Sequence, residues 1–464
     1  MKKIRIICLV VFFALLFNGT AAVYGEESTQ IKKDINSAAS FPGKVSKTAA
    51  RVKNKAVKVN LTVEKDTYLK MWYTPQNWQS TGLYAAPGET VTIEVPKGIK
   101  YLDAQIGCHT DKLEQIPAGQ RLRASDIVVK KHLKAGKNSI SNPYGGLIYI
   151  IPVKSQSKTE TTVKISNAVK APYFVLGKMS DTQWKKVRNN PAPFAELEGS
   201  RVILTIPSGY IKSLNNPTEL MEKWDELVAK EESIAGLSPD NPLPDKSPKG
   251  KWRYVSDIQL SYGLMYCGYP IMLYDDGDKK ALVSVDGLTH NGWGFWHELG
   301  HNYQQYNWEL NSLVEVTNNI FSLNMEKYLG NSCRLLEDND GTGHSSFEDA
   351  LAYVKGNSPD KDFNDDKQTT YFTRLVMFWQ LQKAYGDNFY PRLFTAFREL
   401  NTELDARTDQ EKIDQIVVMT SKISGNNLLE FYKNWGFRYS DKAREQVEDM
   451  KLPGTEEKIW LYTL

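Results

Sequence analysis

Residues 296–302 read Trp-His-Glu-Leu-Gly-His-Asn. His297 and His301 stand four apart, so on a helix both imidazoles leave one face about a turn from each other. Two imidazoles at that spacing can share one Zn²⁺, and Glu298 beside the first can reach a water on the same ion. Zinc acidifies such a water, and Glu298 is placed to accept its proton as it attacks a carbonyl. The bland alternative is a surface helix carrying two histidines by chance. The chain has only six His, which makes that coincidence on the order of one in a few hundred.

Catalytic zinc takes three protein ligands and keeps one open position. A Gly and then a His beyond the second histidine would complete one class of site, but those positions hold Gln304 and Asn307, which excludes it. The other solution is a Glu from a following helix. Residues 310–324 place Leu313, Val316, Ile320 and Leu323 at helical spacing, with Glu315 as the acid in an apolar-to-amide stretch. Glu315 is therefore the expected third ligand. Glu309 is its rival but falls in the expected turn. Asn319, one turn after Glu315, can hydrogen-bond a ligand His from behind, although a helix-surface amide reads the same way. The oxyanion partner is left open among His290, Tyr303, Tyr306, His344 and Arg374, and the substrate-binding residues are not readable.

Upstream of the motif the pattern changes period. Val57, Val59, Leu61 and Val63 alternate, as do Val91, Ile93 and Val95, and 147–151 is a continuous apolar run after Gly145 and Gly146. Short strands between Gly, Pro and Asn turns predict a β-sandwich-like N-terminal domain over 56–190. Pro217–Ala235 reads as a helix with Leu220, Met221, Trp224, Leu227 and Val228 on one face. Strands are expected at 254–274 and 281–285, the latter as a sheet edge able to align an extended peptide. From about 293 onward the chain reads as mainly helical, with Tyr371–Tyr385 closed by Gly386 and a capping box at Thr408 and Glu411. The fold class is α+β, with a mainly α-helical catalytic domain over 191–464.

At the N-terminus Lys2, Lys3 and Arg5 precede an apolar run from Ile6 to Phe17, followed by Gly19, Ala21, Ala22 and Gly25. This is the pattern of a secretory signal peptide over 1–25, and the run is short for a membrane span. A polar, Lys-rich linker is expected over 26–55. Removing 1–25 takes away three basic and no acidic residues, so the net charge falls from +3 to 0. Nothing electrostatic then favours nucleic acid or an anionic membrane. Cys108, Cys267 and Cys333 form no CxxC metal motif and no disulfide framework, which suggests bacterial export to the cell exterior.

The stretches at 80–96 (STGLYAAPGETVTIEVP), 193–209 (PFAELEGSRVILTIPSG), 268–272 (GYPIM), 292–304 (GWGFWHELGHNYQ), 315–321 (EVTNNIF) and 431–437 (FYKNWGF) follow one another in the order of a known family. The chain resembles the enhancin-like, mucin-degrading zinc metallopeptidases. The resemblance implies a gluzincin, thermolysin-like catalytic domain behind a β-rich domain. It also implies one Zn²⁺ on His297, His301 and Glu315, Glu298 as general base, and heavily O-glycosylated proteins such as mucins as substrates. Two other readings stand beside it: a secreted or cell-wall-associated protease indifferent to glycans, and a glycan-binding adhesin with a vestigial zinc site.

Overall fold

The computed structural model describes residues 41–277 and 280–464. The expected signal peptide therefore lies outside the described residues. Of the expected linker, residues 41–54 lie on the protein: Phe41, Val45 and Ala49 pack against one apolar cluster and Val52 against another. Their polar neighbours mask this in the composition, because four apolar side chains are enough to anchor so short a segment.

Nine strands follow in the N-terminal domain: β1 Lys55–Asn60, β2 Gln79–Ala85, β3 Thr90–Val95, β4 Leu102–Ile106, β5 Val129–Leu133, β6 Gly136–Ser141, β7 Gly146–Pro152, β8 Glu160–Ser166 and β9 Val169–Lys170. They form a four-stranded sheet in the order β1-β8-β3-β6 and a five-stranded sheet in the order β5-β4-β7-β2-β9. The alternation read in β1 and β3 has its expected cause, since Val59, Val91, Ile93 and Val95 are buried between the two sheets while their neighbours face water. β7 is buried at every position. Ile148 and Ile150 point into the core of this domain, whereas Leu147, Tyr149 and Ile151 pack with Phe194, Val255 and Met272 of the next. A sheet covered on both faces loses its polar alternation, which accounts for the continuous apolar run.

The second domain is built on a mixed six-stranded sheet of β10 Tyr173–Val175, β11 Phe194–Glu198, β12 Val202–Pro207, β13 Trp252–Asp257, β14 Met265–Tyr266 and β15 Ile271–Tyr274. The order is β10-β11-β12-β13-β15-β14, with β14 antiparallel at one edge. The sheet thus takes in Tyr173–Val175, ahead of residue 191. The helix Pro217–Ile234 covers it with Leu220, Met221, Trp224, Leu227 and Val228 buried. Arg253 of β13 ion-pairs with Glu196 of β11 and, across the domain boundary, donates to Ser80 of β2 at 3.0 Å and stacks 4.9 Å over the Tyr149 ring of β7. None of the described helices is long and apolar enough to cross a membrane.

The strand expected at 281–285 is absent. Lys280–Val283 and Val285–Asn291 are helical, and the Ser284 hydroxyl caps the second by accepting from Gly287 N–H. The β-branched residues Val283 and Val285 suggested a strand locally, but the Ser cap and the chain's return toward the motif helix win. The sheet edge nearest the motif is β14 instead. The motif helix is Trp293–Tyr303. It rests on β13 through Trp252 Nε1, which donates to Tyr303 Oη at 3.0 Å, and Tyr254 Oη, which donates to the Phe295 carbonyl at 2.9 Å.

The helix predicted over 310–324 forms as a one-turn segment Val314–Thr317 and a helix Asn319–Leu329 joined at Asn318. It crosses the motif helix at Gly300. A Cβ on Gly300 would lie 2.5 Å from the Asn318 carbonyl oxygen and 3.2 Å from Phe321 Cβ, so only glycine allows this approach. Gly300→Ala is expected to push the two helices apart and lower stability by about 1–3 kcal/mol through overpacking. Thermal denaturation alongside bound-metal analysis would check this, with both the melting temperature and the metal content falling together.

Candidate metal centre

The motif helix brings His297 and His301 to one face, and the crossing helix brings Glu315 against them. Glu315 Oε2 lies 3.2 Å from His297 Nε2 and 3.3 Å from His301 Nε2, and the two Nε2 atoms are 3.2 Å apart. Three donors about equally spaced at this separation match one face of a tetrahedron around an ion with Zn–N and Zn–O bonds of about 2.0–2.1 Å, whose edge is about 3.3 Å. Glu298 stands close to the pair as well: ligand atoms of His297, Glu298 and His301 all lie within 4.8 Å of one another.

The hydrogen-bond network assigns the imidazole tautomers. His297 Nδ1 is 2.9 Å from Asn319 Oδ1, while Asn319 Nδ2 donates to the Glu315 carbonyl, which fixes the amide's orientation. His301 Nδ1 is 2.9 Å from Gln304 Oε1, while Gln304 Nε2 donates to the Val314 carbonyl and Thr317 Oγ1. Each Nδ1 thus faces an amide oxygen and each Nε2 faces the shared position, where the Asn318 amide nitrogen also lies 2.9 Å from His301 Nε2 and 3.0 Å from His297 Nδ1. Two Nε2 atoms 3.2 Å apart repel as bare lone pairs, so either a proton on His297 or a metal cation must lie between them. The other end of the same buried amide, Asn318 Oδ1, has no hydrogen-bond partner among the described residues. The donor set thus fits a zinc ion.

The charges agree. Burial alone would raise Glu315, but His301 and His297 outweigh it and hold its carboxyl far below the usual carboxylate range. Burial opposes a charged His297, but the Glu315 hydrogen bond and the Glu298 charge hold its pKa up at about 9. Burial pushes Glu298 upward, with the two histidines and a backbone N–H from Cys267 pulling the other way.

Glu309 is brought near but not into the site. Its carboxylate accepts from Thr317 Oγ1 at 2.6 Å, behind Gln304 and on the far side of His301. Of the open oxyanion candidates, His290 and His344 are exposed and pair with Asp286 and Asp349. Tyr303 is committed to Trp252, and Tyr306 packs on Trp72. Arg374 is buried against Ser312, Thr369 and Asp366. The residue missed in the sequence is Tyr371, the half-buried first residue of the helix Tyr371–Tyr385. Burial raises its phenol, with the charges of Asp366 and then Glu315 adding to it, and Arg374 lies 5.9 Å from its ring centre. Gln304 was also missed as a support. Its signal was an amide placed three residues after the second histidine, at the helix C-terminus.

A mixed sheet carrying an HExxH helix crossed by a Glu-bearing helix defines a peptidase scaffold. The chain belongs to peptidase family M60, the enhancin and enhancin-like peptidases, whose model matches residues 167–436. The model for the N-terminal domain of M60-like peptidases matches residues 49–166. A mouse (Mus musculus) relative, TRPM8 channel-associated factor 2, is 33% identical over 376 residues, covering 80% of this chain and 39% of that protein. The chain thus spans about two fifths of the length of the curated relatives it matches. The crystal structure of a functionally unknown conserved protein from Bacillus anthracis is similar at a TM-score of 0.75 and 30% identity, over 88% of this chain and 81% of that one. The M60 catalytic domain of Clostridium perfringens ZmpC, solved with the sialyl T antigen, shares the fold at a TM-score of 0.67 and 19% identity, over 88% and 81% of the two chains.

A metal entering this site must displace the proton that His297 holds below pH about 9. Zinc affinity, read by competition with a chromophoric chelator, is expected to rise about tenfold per pH unit up to that value and then level off. A flat profile across this range would refute the tautomer and proton assignment. Asn319→Ala is expected to weaken zinc binding by about 10–100-fold in the same assay, because His297 loses the group that orients it.

Proposed function

We propose that this protein is a secreted zinc-dependent endopeptidase of the gluzincin, thermolysin-like kind, acting on O-glycosylated proteins. The observation that carries the reading is the convergence of His297, His301 and Glu315 donor atoms at 3.2–3.3 Å with Glu298 alongside. A bound Zn²⁺ supplies positive charge that polarises a peptide carbonyl and acidifies water. The protein's own residues do the rest. Glu298 takes the proton of the attacking water and returns it to the leaving amine. Its burial favours the neutral acid, and the Cys267 N–H keeps the charged form accessible, so both states of a proton carrier are within reach. Tyr371, at the start of the helix that packs against Val314–Thr317, is the phenol we assign to donate a hydrogen bond to oxygen charge developing on the carbonyl. The edge strand β14 runs beside the motif helix and offers unpaired backbone groups to an extended peptide.

The glycoprotein preference rests on the family and on the sialyl T antigen held by the ZmpC domain. Secretion rests on the N-terminal pattern Lys2 to Gly25. One observation favours a second reading, a binding protein that retains zinc without turnover: the mouse relative is named for association with a channel rather than for cleavage.

Incubation of a purified mucin with the wild type and with Glu298→Gln separates the two. Loss of the base is expected to lower turnover by about 10²–10⁴-fold while zinc content stays unchanged. New termini beside glycosylated Ser or Thr, lost when the O-glycans are removed, would support the glycoprotein substrate. Zinc bound in both proteins with no fragments from either would overturn the peptidase reading in favour of the binding protein.

A further inference from the structure

Between β13 and β15 the chain leaves the sheet after Asp257 and returns to its edge only as the short strand β14, and the two ends of this segment are held by different domains. At the first end the grip comes from the N-terminal domain, through the loop that joins β4 to β5. Arg123 clasps the Asp257 carboxylate through Nε at 2.8 Å and Nη2 at 2.6 Å, and both side chains are fully buried. Gln259 is tied at both ends of its amide, accepting from Leu122 N–H at 2.6 Å and donating to the Gln120 carbonyl at 3.0 Å. Ser261 N–H donates to Asp111 Oδ2 at 2.5 Å. At the second end the segment is clamped to the motif helix. Asn302 exchanges two hydrogen bonds with Gly268, at 2.8 and 3.1 Å, and Cys267 N–H reaches Glu298.

Between these clamps Tyr262 and Leu264 stand 43% and 58% exposed. Large apolar side chains held out to water, on a segment fastened at one end to the motif helix and at the other to the N-terminal domain, are placed for contact. A buried ion pair contributes little net stability because desolvation offsets its attraction. A bidentate guanidinium–carboxylate pair does fix direction, since the fork allows one geometry. Arg123–Asp257 is suited to setting where this segment lies more than to holding the fold together.

We propose that residues 259–267 form a wall of the substrate cleft whose position is set by the N-terminal domain. Arg123 and Gln259 act as positioning residues, and Tyr262 and Leu264 form the specificity-determining face for an apolar group of the substrate. The substrate half of this inference rests on the peptidase reading; the positioning half does not.

Two measurements separate them. Amide hydrogen exchange is followed in the full chain for the wild type, Gln259→Ala and Arg123→Met. Gln259→Ala leaves no buried charge behind, so it decides the matter even where Arg123→Met fails to fold. Exchange over 257–268 is expected to quicken about tenfold in Gln259→Ala while β12 keeps its wild-type rate. Cleavage kinetics on a glycopeptide and on the same peptide without its sugar are compared for Gln259→Ala and Tyr262→Ala. KM is expected to rise about fivefold or more with kcat within about twofold, the sign of lost binding rather than lost chemistry. A rise confined to the glycopeptide identifies a sugar face as the apolar group, and a rise with both identifies a side chain. Wild-type exchange over 257–268 in Gln259→Ala, or unchanged KM in both variants, overturns the proposal. No turnover by the wild type defeats the peptidase reading and with it the substrate half, and exchange alone then decides the positioning.

Discussion

Gly300 against the Asn318 carbonyl is the contact on which the centre depends. The two histidines come from one helix and could be assembled anywhere a helix forms. Glu315 comes from another, and its carboxylate reaches both Nε2 atoms only because the backbones meet where a methyl group would not fit. The same approach brings Asn319 behind His297 and lets Gln304 bridge from His301 to Val314 and Thr317. One close crossing therefore fixes ligand position, ring orientation and tautomer together. That economy is available because amides, which both donate and accept, can be locked at one end and still present an oxygen at the other.

The second constraint is that the five-stranded sheet of the N-terminal domain is covered on both faces. β7 serves two cores with alternate residues, and one of these is shared with β13 and β15 of the peptidase domain. Buried polar ties from Arg253 and Arg123 run through the same boundary. The domains are thus packed as parts of one interior rather than joined by a tether, and the segment between β13 and β15 reaches from that boundary to Glu298.

Much of this was legible in the sequence because the relevant signals are local. The helix carrying His297 and His301, the buried stripe Leu220–Val228, the Thr408 cap and the alternating strands β1 and β3 each depend on residues within a few positions of one another. Glu315 was legible as an acid in an amide-rich helix, and Asn319 as its neighbour one turn on. The errors were also local. Val283 and Val285 read as a strand until Ser284 capped a helix, and the polar run before Lys55 hid Phe41 and Val45 as anchors.

What the sequence determined by itself was the chemistry on offer: two imidazoles one turn apart, a carboxylate beside the first, a second acid downstream and a family in which these belong together. Only the tertiary structure decided which acid faces the histidines, that Glu309 stands behind Thr317, and that β14 is the edge beside the motif helix. The physical reason is range. Periodicity and capping act over one or two turns, whereas a donor set closes over the 3 Å of a metal's coordination sphere from residues up to 18 positions apart, and only the packing of whole helices and sheets brings them there.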